Sequence, residues 1–400
     1  MDKELVFHIG DRKTGSTSIQ AALRTGSIRG SRKIGYPTTT VHHISLAKAI
    51  LAPHDRQTLT RRFATLRAMI EASDAEIEVI SGETFEDLSD GAMLRDALEE
   101  FLPEYLPRVR VIAYVRPHGD RLVSSWAEQV KLGDFTGSLE DFFAESLANG
   151  RFFYHDRFMS WRRAFGARFE LRPMIRDRLF RRDVVQDFAR FVLGEEDFEI
   201  AGEVAANESL SLEDLAVLRL LHEALEPLYA MLARRDRPRG KPDARATIPV
   251  QKNRAALGRN LAITLSGLRR GGATKPAIHA GLVPRVQEAY SEDAAALDAA
   301  FFEDAPMSTA LAALGEKAVP EPQVIDPEAL LTPEELRLAR ALAEFVTRMA
   351  MAAPEDWVSY FSRERTGEVP EMLAAGEQAL PLRARKPPGK GRAKATRKPS

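Results

Sequence analysis

The sequence predicts an α/β fold of three layers, a central and mostly parallel sheet flanked by helices, with a helical extension towards the C-terminal end. Three observations predict it. Short apolar runs at residues 5–9, 77–81 and 110–115 read as strands, and each is followed within two residues by Gly10, Gly82 or Pro117. Stretches with apolar residues at helical spacing lie between them, which is the alternation that builds a parallel sheet. At 400 residues the chain also exceeds the size near which single cores stop growing, about 250–300 residues.

Composition bounds the function. A hydrophobic fraction of 44% with 29% charged residues is that of a soluble globular protein. Cysteine is absent, so no disulfide framework or thiolate metal site can form, and a cytoplasmic location is expected. The start, MDKELVFHIG, has too short an apolar run for a signal peptide or a membrane span. The last twenty residues hold eight Lys or Arg and no acid, which leaves 49 basic against 58 acidic residues in the first 380. An acidic body disfavours nucleic acid as a partner.

Residues 5–23, LVFHIGDRKTGSTSIQAAL, read as strand, loop and helix. A helix that starts at such a loop presents unpaired N–H groups and the positive end of its dipole, which suits a phosphate or sulfate. Lys13 adds a full charge, and Arg12, Thr14, Gly15, Ser16 and Thr17 complete the candidate binding set. The loop is P-loop-like, but the Walker A order G-x-x-x-x-G-K-[ST] places lysine after the last glycine, where Ser16 stands here. That order argues against an ordinary ATPase.

A short strand is expected at 33–37, ending at Pro37, followed by a helix through Leu46 and Ile50. His42 and His43 precede that helix, as capping or surface residues or with one of them lining a site. A helix follows over 56–72. Glu83 leaves the carboxyl end of the strand at 77–81, where ligands gather in open parallel sheets, so it reads either as a catalytic carboxylate or as the acidic start of the next helix. Arg116 ends the strand at 110–115, and Leu122, Trp126 and Val130 then fall on one helix face. Ser124 lies in that helix's second turn. A guanidinium and a hydroxyl so placed can hold one phosphate together.

K-T-G-S-T after a strand, and then Arg116 eight residues before Ser124 within R-x-x-x-D-R-L-V-S-S, resemble the two donor-binding elements of sulfotransferases that use 3′-phosphoadenosine 5′-phosphosulfate (PAPS). The resemblance implies that the first element binds the 5′-phosphosulfate and the second the 3′-phosphate. It implies that Lys13 neutralises the leaving phosphate, that no metal is needed, and that the acceptor is a carbohydrate or small molecule. Family members use a histidine or a glutamate as general base, which makes Glu83 the first choice here and His43 the second. Two features depart from the cytosolic members. Ser18 replaces the tryptophan that stacks on adenine, and residues 269–272, RRGG, are a weak substitute for their R-K-G motif. Two other readings stand beside this one: a degenerate P-loop nucleotide-binding NTPase or kinase, and a non-catalytic nucleotide-binding protein of the same fold.

Further along, a helix is expected within 152–165, a strand at 168–174, a helix over 179–192 and a long capped helix over 207–232. Residues 234–280, rich in Arg, Gly, Pro and Lys, read as loops, either a solvated surface or a receiver for anions. A helix over 283–302 closes a catalytic domain at 1–318. Residues 319–380 form a proline-bearing linker and a helical extension, with its helix at 333–351. Residues 381–400 form a basic tail too poor in apolar side chains to fold, suited to an anionic surface.

Overall fold

In the computed structural model, residues 3–202, 210–235, 247–268 and 274–352 are described. The strands are β1 (Glu4–His8), β2 (Ile28–Arg29), β3 (Ile34–Gly35), β4 (Ile77–Ser81), β5 (Val109–Val115), β6 (Phe169–Pro173) and β7 (Glu199–Ile200). Five of them form a parallel sheet in the order β3-β4-β1-β5-β6, while β2 and β7 pair as an antiparallel ribbon.

The first half of the chain wraps the sheet in α1 (Ser16–Arg24), α2 (Ile44–Leu51), α3 (Arg56–Ala72), α4 (Ala92–Phe101), α5 (His118–Leu132), α6 (Leu139–Ala148), α7 (His155–Phe165) and α8 (Val184–Leu193). The rest of the described chain is mostly helical. It comprises α9 (Leu212–Ala224), α10 (Glu226–Arg235), α11 (Thr247–Leu268), α12 (Val283–Phe301), α13 (Pro306–Ala312), α14 (Pro327–Leu330) and α15 (Pro333–Ala352). None of the described helices is long and apolar enough to cross a membrane.

Side chains alternate across a strand, so each strand feeds two cores. Leu5, Phe7, Val111 and Ala113 face the core built with α2, α3, α4, α5 and α7. Val6, Val79, Ile112 and Tyr114 face the core built with α1 and α8. In register, His8 of β1 stands beside Ser81 of β4 and Ile112 of β5, so the carboxyl ends of these central strands reach one edge together. From that edge β1 runs into α1 on one face, and β5 runs into α5 on the other. Departure to opposite faces opens a crevice between neighbouring strands, which is where open α/β sheets bind ligands.

Beyond the sheet, three readings change. The stretch 234–280 contains a 22-residue helix, α11, where loops are expected. Its Leu257, Leu261, Ala262 and Leu265 pack into neighbouring cores, and their helical spacing lies between two breaker-rich flanks. The long helix expected over 207–232 divides into α9 and α10 at Leu225, and residues 207–209 lie outside the described residues. Ser211 and Asp214 form the capping box that starts α9. The chain also stays packed through the expected boundary near 318. Val319 bridges to His279, Ile325 is buried in the main core, and α15 lies on α9. The tail at 381–400 and the RRGG stretch at 269–272 lie outside the described residues.

Candidate anion-binding site

The loop after β1 turns tightly because its backbone enters the left-handed region three times, at Gly10 (φ +32°), Lys13 (φ +68°) and Gly15 (φ +82°). Gly15 is needed for space as well: a Cβ there would stand 2.7 Å from Val184 Cγ1 of α8. Gly15 caps α1 without a side chain, and no acid lies in the helix's first turn. The N–H groups at the start of α1 therefore keep their capacity for an anion. Ser16 Oγ is buried beside them and has no hydrogen-bond partner among the described residues. The Thr14 hydroxyl is spent within the loop, donating to Asp11 O at 2.5 Å, whereas Thr17 is exposed.

Across the crevice, Arg116 stands just before α5, and Ser124, Glu128 and Lys131 follow along one face of that helix. Arg116 Nη1 donates to Lys13 O at 3.1 Å and to Ser124 Oγ at 3.3 Å. The structure thus joins the two elements that were read separately in the sequence. Burial lowers the Arg116 pKa, and Arg116 forms no ion pair among the described residues, so its charge is free for a ligand. Lys13 Nζ donates to Glu128 Oε2 at 2.9 Å, and Lys131 Nζ lies 2.5 Å from the same oxygen. Burial works to raise the Glu128 carboxyl, but Lys13 and Lys131 outweigh it and hold the group ionised.

Beneath the loop lies an ionic quartet that sequence reading did not single out. Asp11 is buried and accepts from Arg157 Nη2 at 2.9 Å, with Arg121 Nη1 3.6 Å from its other oxygen. Arg121 Nη2 donates to Glu86 Oε1 at 2.8 Å, and the Arg12 N–H donates to Glu86 Oε2 at 2.9 Å. Burial, followed by the Asp11 charge, pushes the Glu86 carboxyl up to about 7. Burial also works against ionised Asp11, but Arg157 and Arg121 keep it below the usual carboxylate range. Arg12 is placed differently from the other loop residues. Its guanidinium is forked onto Asp87 at 2.8 and 3.0 Å, so its charge is committed before any anion arrives.

The two candidate bases part company. Glu83 opens a 3-10 turn (Glu83–Asp87) at the carboxyl end of β4, half-buried and without a hydrogen-bonded partner among the described residues. His43 is buried with both ring nitrogens engaged by backbone: the Ser81 N–H donates to Nδ1 at 3.1 Å, and Nε2 lies 3.0 Å from Pro37 O. Burial lowers its pKa to about 4. This corrects the second choice of base, because His43 has no lone pair left for an acceptor proton and instead ties the loop before α2 to the end of β4. Glu128, held by two lysines, is a weak base.

The missed residues carried a signal. Glu128 and Lys131 continue the helical spacing of Ser124, and Arg121 lies inside the same stretch as Arg116 and Ser124. What the sequence does not display is that Glu128 and Arg121 find partners in the loop more than a hundred residues earlier. No protein-family model, curated protein or solved structure matches the chain.

Proposed function

We propose that the chain is a sulfotransferase, moving a sulfuryl group from PAPS to a hydroxyl or amine of a carbohydrate or small-molecule acceptor. The observation that carries this reading is the hydrogen-bonded link from Ser124 through Arg116 to the backbone of Lys13. It unites an uncapped helix start with an unpaired guanidinium, two places for two phosphates of one donor. The N–H groups of residues 14–17 and the hydroxyls of Ser16 and Thr17 hold the 5′-phosphate, and Arg116 with Ser124 holds the 3′-phosphate.

In the reaction the acceptor oxygen forms a bond to sulfur while the bond from sulfur to the bridging phosphate oxygen breaks. The electron pair of that bond leaves on the 5′-phosphate, where Lys13 meets the growing charge. Lys13 first exchanges Glu128 for the phosphate, and Lys131 remains to neutralise the carboxylate. The acceptor's proton passes to Glu83, an unpartnered carboxylate at the same edge of the sheet.

Calorimetric titration with adenosine 3′,5′-bisphosphate and with ATP, both without added metal, tests the donor. Tight binding of the bisphosphate alone supports the reading, and preference for ATP overturns it in favour of a nucleoside triphosphate enzyme. Transfer of labelled sulfate from PAPS to glycans and cell extracts then separates an enzyme from a binding protein of the same fold.

A further inference from the structure

We propose that Arg121 is a positioning residue that presets the loop for its anion. The inference rests on the anion-site reading above, though not on the identity of the donor. Lys13 holds φ +68°, a left-handed conformation that is unfavourable for a residue with a Cβ. Something must hold the backbone there. The carbonyls on either side of this strained point are both gripped from across the crevice: Arg121 Nη1 of α5 donates to Arg12 O, and Arg116 Nη1, just before α5, donates to Lys13 O. In a trans peptide the C=O and the following N–H point to opposite sides. Gripping these two carbonyls therefore turns the N–H groups of Lys13 and Thr14 away from the arginines, and successive N–H groups so directed form an anion-binding concavity.

Arg121 is itself fixed. It is buried between Glu86 and Asp11, and Asp11 is held from the other side by Arg157. Glu86 also accepts the Arg12 N–H, so one ion pair clamps both ends of the Arg12 backbone. Two carboxyl groups face two guanidiniums in this quartet, and what it contributes to the loop is placement.

The test uses the full chain without ligand, and then with two nucleotides. Arg121→Lys keeps the charge and loses the fork. The expected result is that backbone order parameters of residues 12–15 fall from about 0.85 towards 0.6 while those of β1 and β5 stay rigid. Adenosine 3′,5′-bisphosphate and adenosine 5′-phosphate should both weaken by a similar factor, about tenfold or more. An unchanged loop, or loosening spread through the sheet, overturns the inference. If Arg121→Lys does not fold, Glu86→Gln gives the same readout by loosening Arg121 without removing it. Should the native chain bind neither nucleotide, the donor reading fails, and the ligand-free order parameters still decide the role of Arg121.

Discussion

At the residue scale, the proposed transfer divides the site into groups that would meet the transferred charge and groups that hold them. On the proposed sulfuryl transfer, Lys13→Ala should depress turnover more than donor affinity, because the lysine would meet most charge as the bond breaks. Steady-state kinetics check this, and a rise in KM alone would make Lys13 a ground-state binder. Arg116→Ala should weaken adenosine 3′,5′-bisphosphate much more than adenosine 5′-phosphate, since it removes a charge-assisted pair worth roughly 1.5–3 kcal/mol. Its second bond, to Lys13 O, adds a smaller loss common to both nucleotides. Equal loss would reduce Arg116 to a support for the loop. Glu83→Gln should cut turnover on the order of 10²–10⁴-fold with donor binding intact, while His43→Asn should leave the acid limb of the turnover profile in place. The reverse pattern would restore His43 as base. Lys13 and Arg116 were legible because each stands at a strand-to-helix junction, and Ser124 because of its fixed spacing from Arg116. Glu128 and Arg121 were not, because a charge on a helix shows its role only when its distant partner is known.

At the element scale, α1 depends on Gly15. Gly15→Ala combines a strained φ of +82° with a Cβ only 2.7 Å from Val184, and should cost about 1–3 kcal/mol of stability. Thermal unfolding with nucleotide titration checks it, and anion affinity should fall together with stability because one residue starts the helix and shapes the loop. A Gly15→Ala chain as stable as the parent would show that α8 moves aside easily. The main strands and their following helices were readable from periodicity, since burial imposes that period directly. Helix α11 was not, because arginine, glycine and proline on both flanks mask a middle whose apolar stripe is complete. The short β2–β7 ribbon joins two dipeptides 171 residues apart, and no local pattern announces such a pair.

At the scale of the whole molecule, two buried histidines at the carboxyl edge of the sheet tie stability to pH. Burial lowers His8 to about 3 and His43 to about 4, so the folded chain keeps both neutral. Below pH 6.5 the unfolded chain takes up protons that the folded chain refuses, so this stability is full above 6.5 and drains away as the pH falls towards 4. For His43 the loss reaches on the order of 3 kcal/mol. Glu86, raised to about 7, works in the opposite sense over part of that window. The histidine contribution is therefore read as the difference between parent and His43→Asn in denaturant unfolding at pH 7 and pH 5, where the variant should lose less. Equal losses would show that His43 is solvated in solution. The same edge bears on how the protein is made. Lys13 and Arg116 lie 103 residues apart and meet only after β1 has paired with β5, so no fragment of the nascent chain ending before α5 owns a complete anion site. Occupancy of that site thus counts finished molecules. Nucleotide present at a hundred times its dissociation constant should add about 2.7 kcal/mol to them and nothing to misassembled chains.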